Sequence, residues 1–135
     1  MNIVETDYWC LMLPPEWSAE RDDDVVLITD QDGIGELAIS TLIFESAASS
    51  VASGDIARDE SPEVTAWESA TFGHFIGVVG QLREDAAVIT EWYLAHRNAL
   101  LYCTYACDED DDGMDAAAVE EILGTLVPGD ALVEA

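Results

Sequence analysis

Three β-rich runs in the second half of the chain constrain the fold most. They span residues 72–82 (FGHFIGVVGQL), 86–95 (AAVITEWYLA) and 99–106 (ALLYCTYA). The connections 83–85 (RED) and 96–98 (HRN) are polar and of turn length, as in an antiparallel meander. The sequence therefore predicts three consecutive antiparallel strands.

The middle run also indicates what surrounds it. Because side chains alternate along a strand, Trp92 and Leu94 fall on one face and Ile89 and Tyr93 on the other. Both faces are partly apolar, so we expect both to be covered.

The first half predicts fewer strands. Residues 8–13 (YWCLML) form an apolar run that the Pro14-Pro15 pair should stop, with Trp17 as an isolated anchor. Residues 25–29 (VVLIT) and 36–44 (ELAISTLIF) flank the turn-forming segment 30–35 (DQDGIG), which predicts a hairpin.

The sequence also indicates a further strand at residues 64–70. Two other segments are candidate helices. Residues 46–60 are rich in Ala and Ser and fit either a weak helix or a loop. Residues 115–126 place Val119, Ile122, Leu123 and Leu126 on one helical stripe, and Asp112 is positioned to cap this helix. Strands grouped in runs predict an α+β fold, with an antiparallel sheet of about five to seven strands packed by helices.

The charge is extreme for a chain that can build a core. Among 135 residues, 29 are Asp or Glu, four are Arg and none is Lys, giving a net charge of -25, while 50% are hydrophobic. That apolar content predicts one folded domain over residues 1–135. Without clustered Lys or Arg, we expect neither nucleic acid nor an anionic membrane as a partner.

Targeting signals and cysteines predict a cytoplasmic protein. The first seven residues carry two acids and no base, unlike a signal peptide, and no apolar stretch reaches a membrane span of about 18 residues. Cys103 and Cys107 are about 13 Å apart along one extended run, too far for a disulfide. A bridge from Cys10 to either of them is the less favoured alternative to three free thiols.

The order of these segments resembles the PsbP/Mog1-like superfamily. The matching residues are Leu13 to Trp17 (LPPEW), Trp92 and Leu94, Leu101 with Tyr102 and Tyr105, and the terminal Ile122, Leu123 and Leu126. The resemblance covers residues 8–127 and implies a PsbP/Mog1-like sandwich of sheet and helices. It implies a binding or accessory role and transfers no functional residue, since the matches are core and turn positions.

One acidic segment resembles a cation site. Asp108, Asp110 and Asp112, followed by Gly113, match the start of a calcium loop, in which alternate carboxylates converge on one ion. The later ligand positions do not match, so a solvated loop is the favoured alternative. If this loop met another acidic turn, the two could form a weak divalent-cation site.

Enzyme activity is a less favoured class of function for this sequence than binding. His74 and His96 show no spacing typical of a metal site or a hydrolase, and Cys103 lies inside a run that we expect to be buried. The sequence contains no phosphate-binding, nucleophile-elbow or dinucleotide motif. We therefore expect a protein that is not an enzyme and needs no cofactor.

Recognition of another protein is the class of function that remains. The leading hypothesis is a binding protein of the immunity or inhibitor type, monomeric or a small homo-oligomer, whose acidic surface docks a basic protein. Its candidate contacts are Trp67 and Tyr93, if exposed, together with Asp22, Asp23 and Asp24. The alternative is an accessory protein whose charge serves solubility or adaptation to salt.

Overall fold

Over the residues that the structure describes, the fold consists of ten strands and three α-helices. The computed structural model describes residues 2–23, 25–44, 50–111, 113 and 115–133. In chain order the elements are β1 (Asn2–Glu5), β2 (Trp9–Leu13), β3 (Trp17–Asp22), β4 (Val25–Asp30), β5 (Gly35–Ile43), α1 (Ser50–Glu60), β6 (Glu68–Phe72), β7 (Phe75–Glu84), β8 (Ala87–His96), β9 (Ala99–Asp108), a 3-10 turn (Glu109–Asp111), α2 (Ala116–Leu123), β10 (Val127–Pro128) and α3 (Asp130–Val133).

Seven strands form one antiparallel sheet in the order β3-β4-β5-β9-β8-β7-β6. Strands β1, β2 and β10 form a second, three-stranded sheet with β2 in the middle. The predicted α+β class and the meander β7-β8-β9 are confirmed. No helix within the described ranges is long and apolar enough to cross a membrane.

The two faces of the large sheet are covered differently. On the inner face, Leu37, Leu94 and Leu101 pack in one core with Leu11 of β2 and Ile122 of α2. Strand alternation sends their neighbours to the outer face. There Tyr93, Ala95 and Leu100 form a smaller cluster with Ala57 of α1. The expectation that both faces of residues 86–95 are covered is met.

Several boundaries differ from those predicted. The strand expected at residues 64–70 begins only at Glu68, because the backbone N–H of Val64 donates to Ser61 in a turn after α1. Trp17 is not an isolated anchor; it begins β3, whose remaining residues are exposed and, apart from Ala19, polar, so they gave no apolar signal. The 46–60 segment is helical from Ser50, and its residues 46–49 lie outside the described ranges.

The start of α2 and the cysteines also bear on the predictions. Asp115 occupies the helix N-cap without a side-chain capping bond, and Asp112 lies outside the described residues. Cys10, Cys103 and Cys107, all among the described residues, form no disulfide, so the alternative of a Cys10 disulfide is wrong.

Candidate functional site

Acidic loops meet at one end of the seven-stranded sheet. The strand register sets Glu36 opposite Ala106, and Asp108 opposite Ala87. The backbone N–H of Glu109 donates to the carbonyl of Ala86 at 2.8 Å. The loops at this end precede β3, join β4 to β5, join β7 to β8, and follow β9. We call their carboxylates, together with those of the adjoining strand ends, the acidic end: Glu16, Asp30, Asp32, Glu36, Glu84, Asp85, Asp108, Glu109, Asp110 and Asp111.

Little positive charge lies among them. The Arg83 guanidinium Nη1 is 4.0 Å from Glu109 Oε2, and both side chains are more than half exposed. An exposed pair of this kind is screened by water and contributes little to stability. The acidic end therefore presents a strongly negative surface to solvent.

Of the three predicted cation ligands, Asp108 and Asp110 lie at the acidic end. Asp108 and Glu36 line a shallow, open depression of about 420 Å³ between the β4–β5 turn and the end of β9. Asp108 and Asp110 are exposed, and Asp112 lies outside the described residues. No group of three or more His, Cys, Asp or Glu side chains within the described ranges could hold a metal ion.

The predicted partner contacts do not form one surface. Asp22 and Asp23 lie at the β3 edge of the sheet, whereas Trp67 immediately precedes β6 at the other edge. Six strand spacings of about 4.8 Å separate those edges, roughly 29 Å. Asp24 lies outside the described residues. Tyr93 is only 3% exposed, so it does not meet the condition of exposure on which its role as a partner contact was predicted.

Tyr93 instead belongs to a buried polar cluster beneath the C-terminal end of α1. The Ser61 hydroxyl donates to Glu91 Oε1 at 2.5 Å and lies 2.9 Å from the Tyr93 hydroxyl. Tyr102 donates to the same carboxylate oxygen at 3.1 Å. Ser61 and Glu91 are each 4% exposed, so these bonds fasten the end of the helix to the sheet in a water-poor site.

Burial and the nearby carboxylate change the acidity of both phenols. Loss of solvation raises the pKa of Tyr93 above its ordinary value, partly offset by the Ser61 hydrogen bond. Loss of solvation, with the charge of Glu91, also raises the pKa of Tyr102. Both hydroxyls therefore remain protonated donors at neutral pH.

A second buried bond fixes the start of α2. The Tyr105 hydroxyl donates to Asp115 Oδ2 at 2.5 Å. Loss of solvation, then the bond to Asp115, raises the pKa of Tyr105. A Cβ at Gly35 would lie 2.3 Å from this hydroxyl oxygen, so only glycine lets the tyrosine ring cross β5.

Comparison with known proteins identifies the architecture. No family model matches this sequence, and no curated protein matches it. A solved structure from Bacteroides thetaiotaomicron VPI-5482 superposes with a TM-score of 0.72 at 16% identity, covering 93% of this chain and 47% of that one. Cyanobacterial PsbP (CyanoP) from Synechocystis sp. PCC 6803 gives 0.67 at 13% identity, covering 94% of this chain and 91% of that one. The chain has the PsbP/Mog1-like fold.

A third solved structure also superposes on this chain. LpqN of Mycobacterium tuberculosis, described as involved in cell envelope biogenesis, gives a TM-score of 0.60 at 12% identity, with coverage of 90% and 83%. This chain spans about half of the Bacteroides protein. At these identities the likeness establishes the PsbP/Mog1-like fold alone.

A cleft of about 400 Å³ lies on the inner face of the sheet, between α2 and strands β6 to β8. Phe72, Val79, Trp92 and Val119 contribute apolar walls, and Glu68 and Glu120 are among the polar lining residues. Sequence reasoning missed this cleft. The apolar residues were visible, but the edge position of β6 follows only from the strand order.

His74 and His96, whose spacing in the sequence is typical of neither a metal site nor a hydrolase, lie together at the sheet end opposite the acidic end. The His74 and His96 rings are 5.4 Å apart between centroids. Burial, then the positive charges of Arg97 and His74, lowers the pKa of His96 below its ordinary value.

Full burial raises the pKa of Cys103, so this thiol is held protonated at neutral pH.

Proposed function

We propose that this protein is a non-enzymatic binding protein that docks a basic protein partner at its acidic end, in the manner of an immunity protein or an inhibitor. One observation carries the proposal. Acidic segments distant in sequence, including residues 30–36, 84–85 and 108–111, are brought to one end of one sheet by the strand register. The charge is thus concentrated on a surface that one partner can cover.

The physics of such a surface favours fast, charge-selective association. Exposed carboxylates attract a cationic surface over about 10 Å at 0.1 M salt and accelerate its encounter. Cys10, Cys103 and Cys107, all described by the structure, form no disulfide, which fits the reducing compartment of the cytoplasmic protein that we propose.

The test compares two variants with equal loss of charge. The first carries Asp108→Asn, Glu109→Gln and Asp110→Asn at the acidic end. The control carries Glu20→Gln, Asp55→Asn and Glu121→Gln, at exposed positions elsewhere. The partner is first identified by cross-linking and mass spectrometry, and its Kd is then measured from 50 to 500 mM NaCl.

We expect the acidic-end variant to weaken binding roughly tenfold or more, and wild-type affinity to fall steeply with salt. The control should change the Kd by less than about twofold at 150 mM NaCl, since exposed charges outside an interface act weakly. Equal weakening by both variants, or affinity insensitive to salt, would contradict the proposal.

A second candidate rests on carboxylates away from the acidic end. Glu20 and Asp22 on β3 and Asp55 and Asp59 on α1 are exposed on other surfaces, as expected if the charge serves hydration or salt adaptation in an accessory protein. In that case Tm should rise strongly from low to molar NaCl as self-repulsion is screened. A flat Tm would count against this alternative.

A further inference from the structure

We infer that the cleft between α2 and strands β6 to β8 receives an apolar or aromatic side chain of the basic partner, with Lys or Arg residues on both sides of it. This inference rests on the proposed function and assigns its anchoring point. Hereafter the lining between α2 and β6 to β8 is called the anchor cleft.

The anchor cleft exists because α2 is short. Its eight residues span about 12 Å and do not cover the whole inner face. Ala70, Phe72 and Val79 pack against the core yet remain only partly buried. The volume of about 400 Å³ lies within the range of roughly 300 to 1,000 Å³ typical of binding pockets.

The charges around the anchor cleft favour an occupant of positive charge. Glu68 on β6 and Glu120 on α2 are exposed and belong to two different walls. None of the described lining residues is basic. An anionic ligand would be repelled, and so would a second copy of this chain, which also carries a net charge of -25.

The interior selects an apolar group within a basic segment. Phe72, Val79 and Val119 offer apolar contacts, and the other polar lining residues, Ser69, Gln81, Thr90 and Tyr105, carry no charge. A cation inside the cleft would therefore be buried without a countercharge, which is costly. An apolar side chain can enter while flanking Lys or Arg residues stay at the rim, within reach of carboxylates. A single apolar anchor inside a charged rim is the usual composition of a strong contact in a protein interface.

The experiment uses two fluorescein-labelled peptides with the same charge. One contains Gly-Lys-Arg-Phe-Arg-Lys-Gly, and in the other the Phe is replaced by Gly. Binding to the full chain is followed by fluorescence anisotropy at 50 and 150 mM NaCl. We expect the Phe peptide to bind about tenfold more tightly or better, since burying a Phe side chain gives about 1.5 to 3 kcal/mol.

Matched variants locate the binding. Ala70→Trp should fill the anchor cleft and remove the preference for Phe, provided that circular dichroism shows a folded protein. Glu68→Gln with Glu120→Gln should weaken both peptides at least threefold while leaving the core untouched. The control pair, Glu20→Gln with Glu121→Gln, removes the same charge at exposed positions outside the lining and should have little effect.

The outcomes separate this inference from the proposed function. If both peptides bind equally and neither cleft variant differs from the control pair, the anchor cleft is not the docking point, although the acidic end can still bind a basic partner. If neither peptide binds at 50 mM NaCl and the acidic-end variant leaves the partner's Kd unchanged, both proposals fail. A preference for Phe that is lost in Ala70→Trp and weakened by the rim pair supports the inference.

Discussion

The two faces of the seven-stranded sheet are stabilised in different ways, although they share the same strands. The inner face is a broad apolar core covered by a second sheet and α2. The outer face has a small cluster in which four polar side chains, Ser61, Glu91, Tyr93 and Tyr102, bond to one another beneath α1. Packing thus dominates the inner face, while directional hydrogen bonds fix one helix on the outer face.

Adjacent leucines on β9 provide the strongest comparison. Leu101 packs in the inner core and Leu100 in the outer cluster, and both are fully buried. Leu101→Ala should cost about 4 kcal/mol and Leu100→Ala about 2 kcal/mol, because a small cluster under one helix can collapse into the cavity more easily. Chemical denaturation measures both. Equal costs would show that the outer cluster is packed as rigidly as the inner core.

Two tyrosines test the polar bonds of each face. Tyr105→Phe removes the described hydrogen bond to the buried Asp115 carboxylate, with an expected cost of about 2 to 3 kcal/mol. Tyr93→Phe should cost only about 1 kcal/mol, because Ser61 still donates to Glu91. Unfolding of both variants in urea measures the two losses of free energy. A larger cost for Tyr93→Phe would make the outer cluster more cooperative than its pairwise bonds indicate.

Two glycines should respond in opposite directions on the outer face. At Gly80 a Cβ would lie 2.5 Å from Val64 Cγ1 and 2.9 Å from Trp67 Cε3, so Gly80→Ala should destabilise by about 1 to 3 kcal/mol. At Gly54, within α1, the nearest atom is the mobile Arg58 guanidinium at 3.4 Å. Gly54→Ala should therefore stabilise by about 0.5 to 1 kcal/mol and raise Tm. A lower Tm for Gly54→Ala would mean that α1 lies too close to β7 for a methyl group.

The smallest effect is expected on the exposed side of α1. Arg58 and Asp55 form an i,i+3 ion pair at 3.5 Å, and both side chains are mostly exposed. Arg58→Ala should change the free energy of unfolding by less than about 0.5 kcal/mol, with no difference at 0.5 M NaCl. A loss comparable to that of Tyr93→Phe would show that this pair helps to hold α1 on the outer face.

Local patterns predicted the β4–β5 hairpin and the β7–β8–β9 meander, but neither the strands β1, β3 and β10 nor the pairing of β5 with β9. The alternation of Trp92 and Tyr93 correctly separated two covered faces, and the helical stripe of Val119 and Ile122 correctly located α2. The Ser61–Glu91 bond joins positions 30 residues apart and has no local signal. The anchor cleft depends on β6 being an edge strand, which only the strand order reveals.

The pairing of β2 with β10 has a consequence for synthesis. Val127 lies opposite Cys10, so 117 positions of sequence separate two partners in the small sheet. At roughly 5 to 20 residues per second, a ribosome needs about 6 to 23 seconds to make that stretch. During this time Trp9 lacks Pro128, its final strand partner, and this edge of β2 stays available for other contacts.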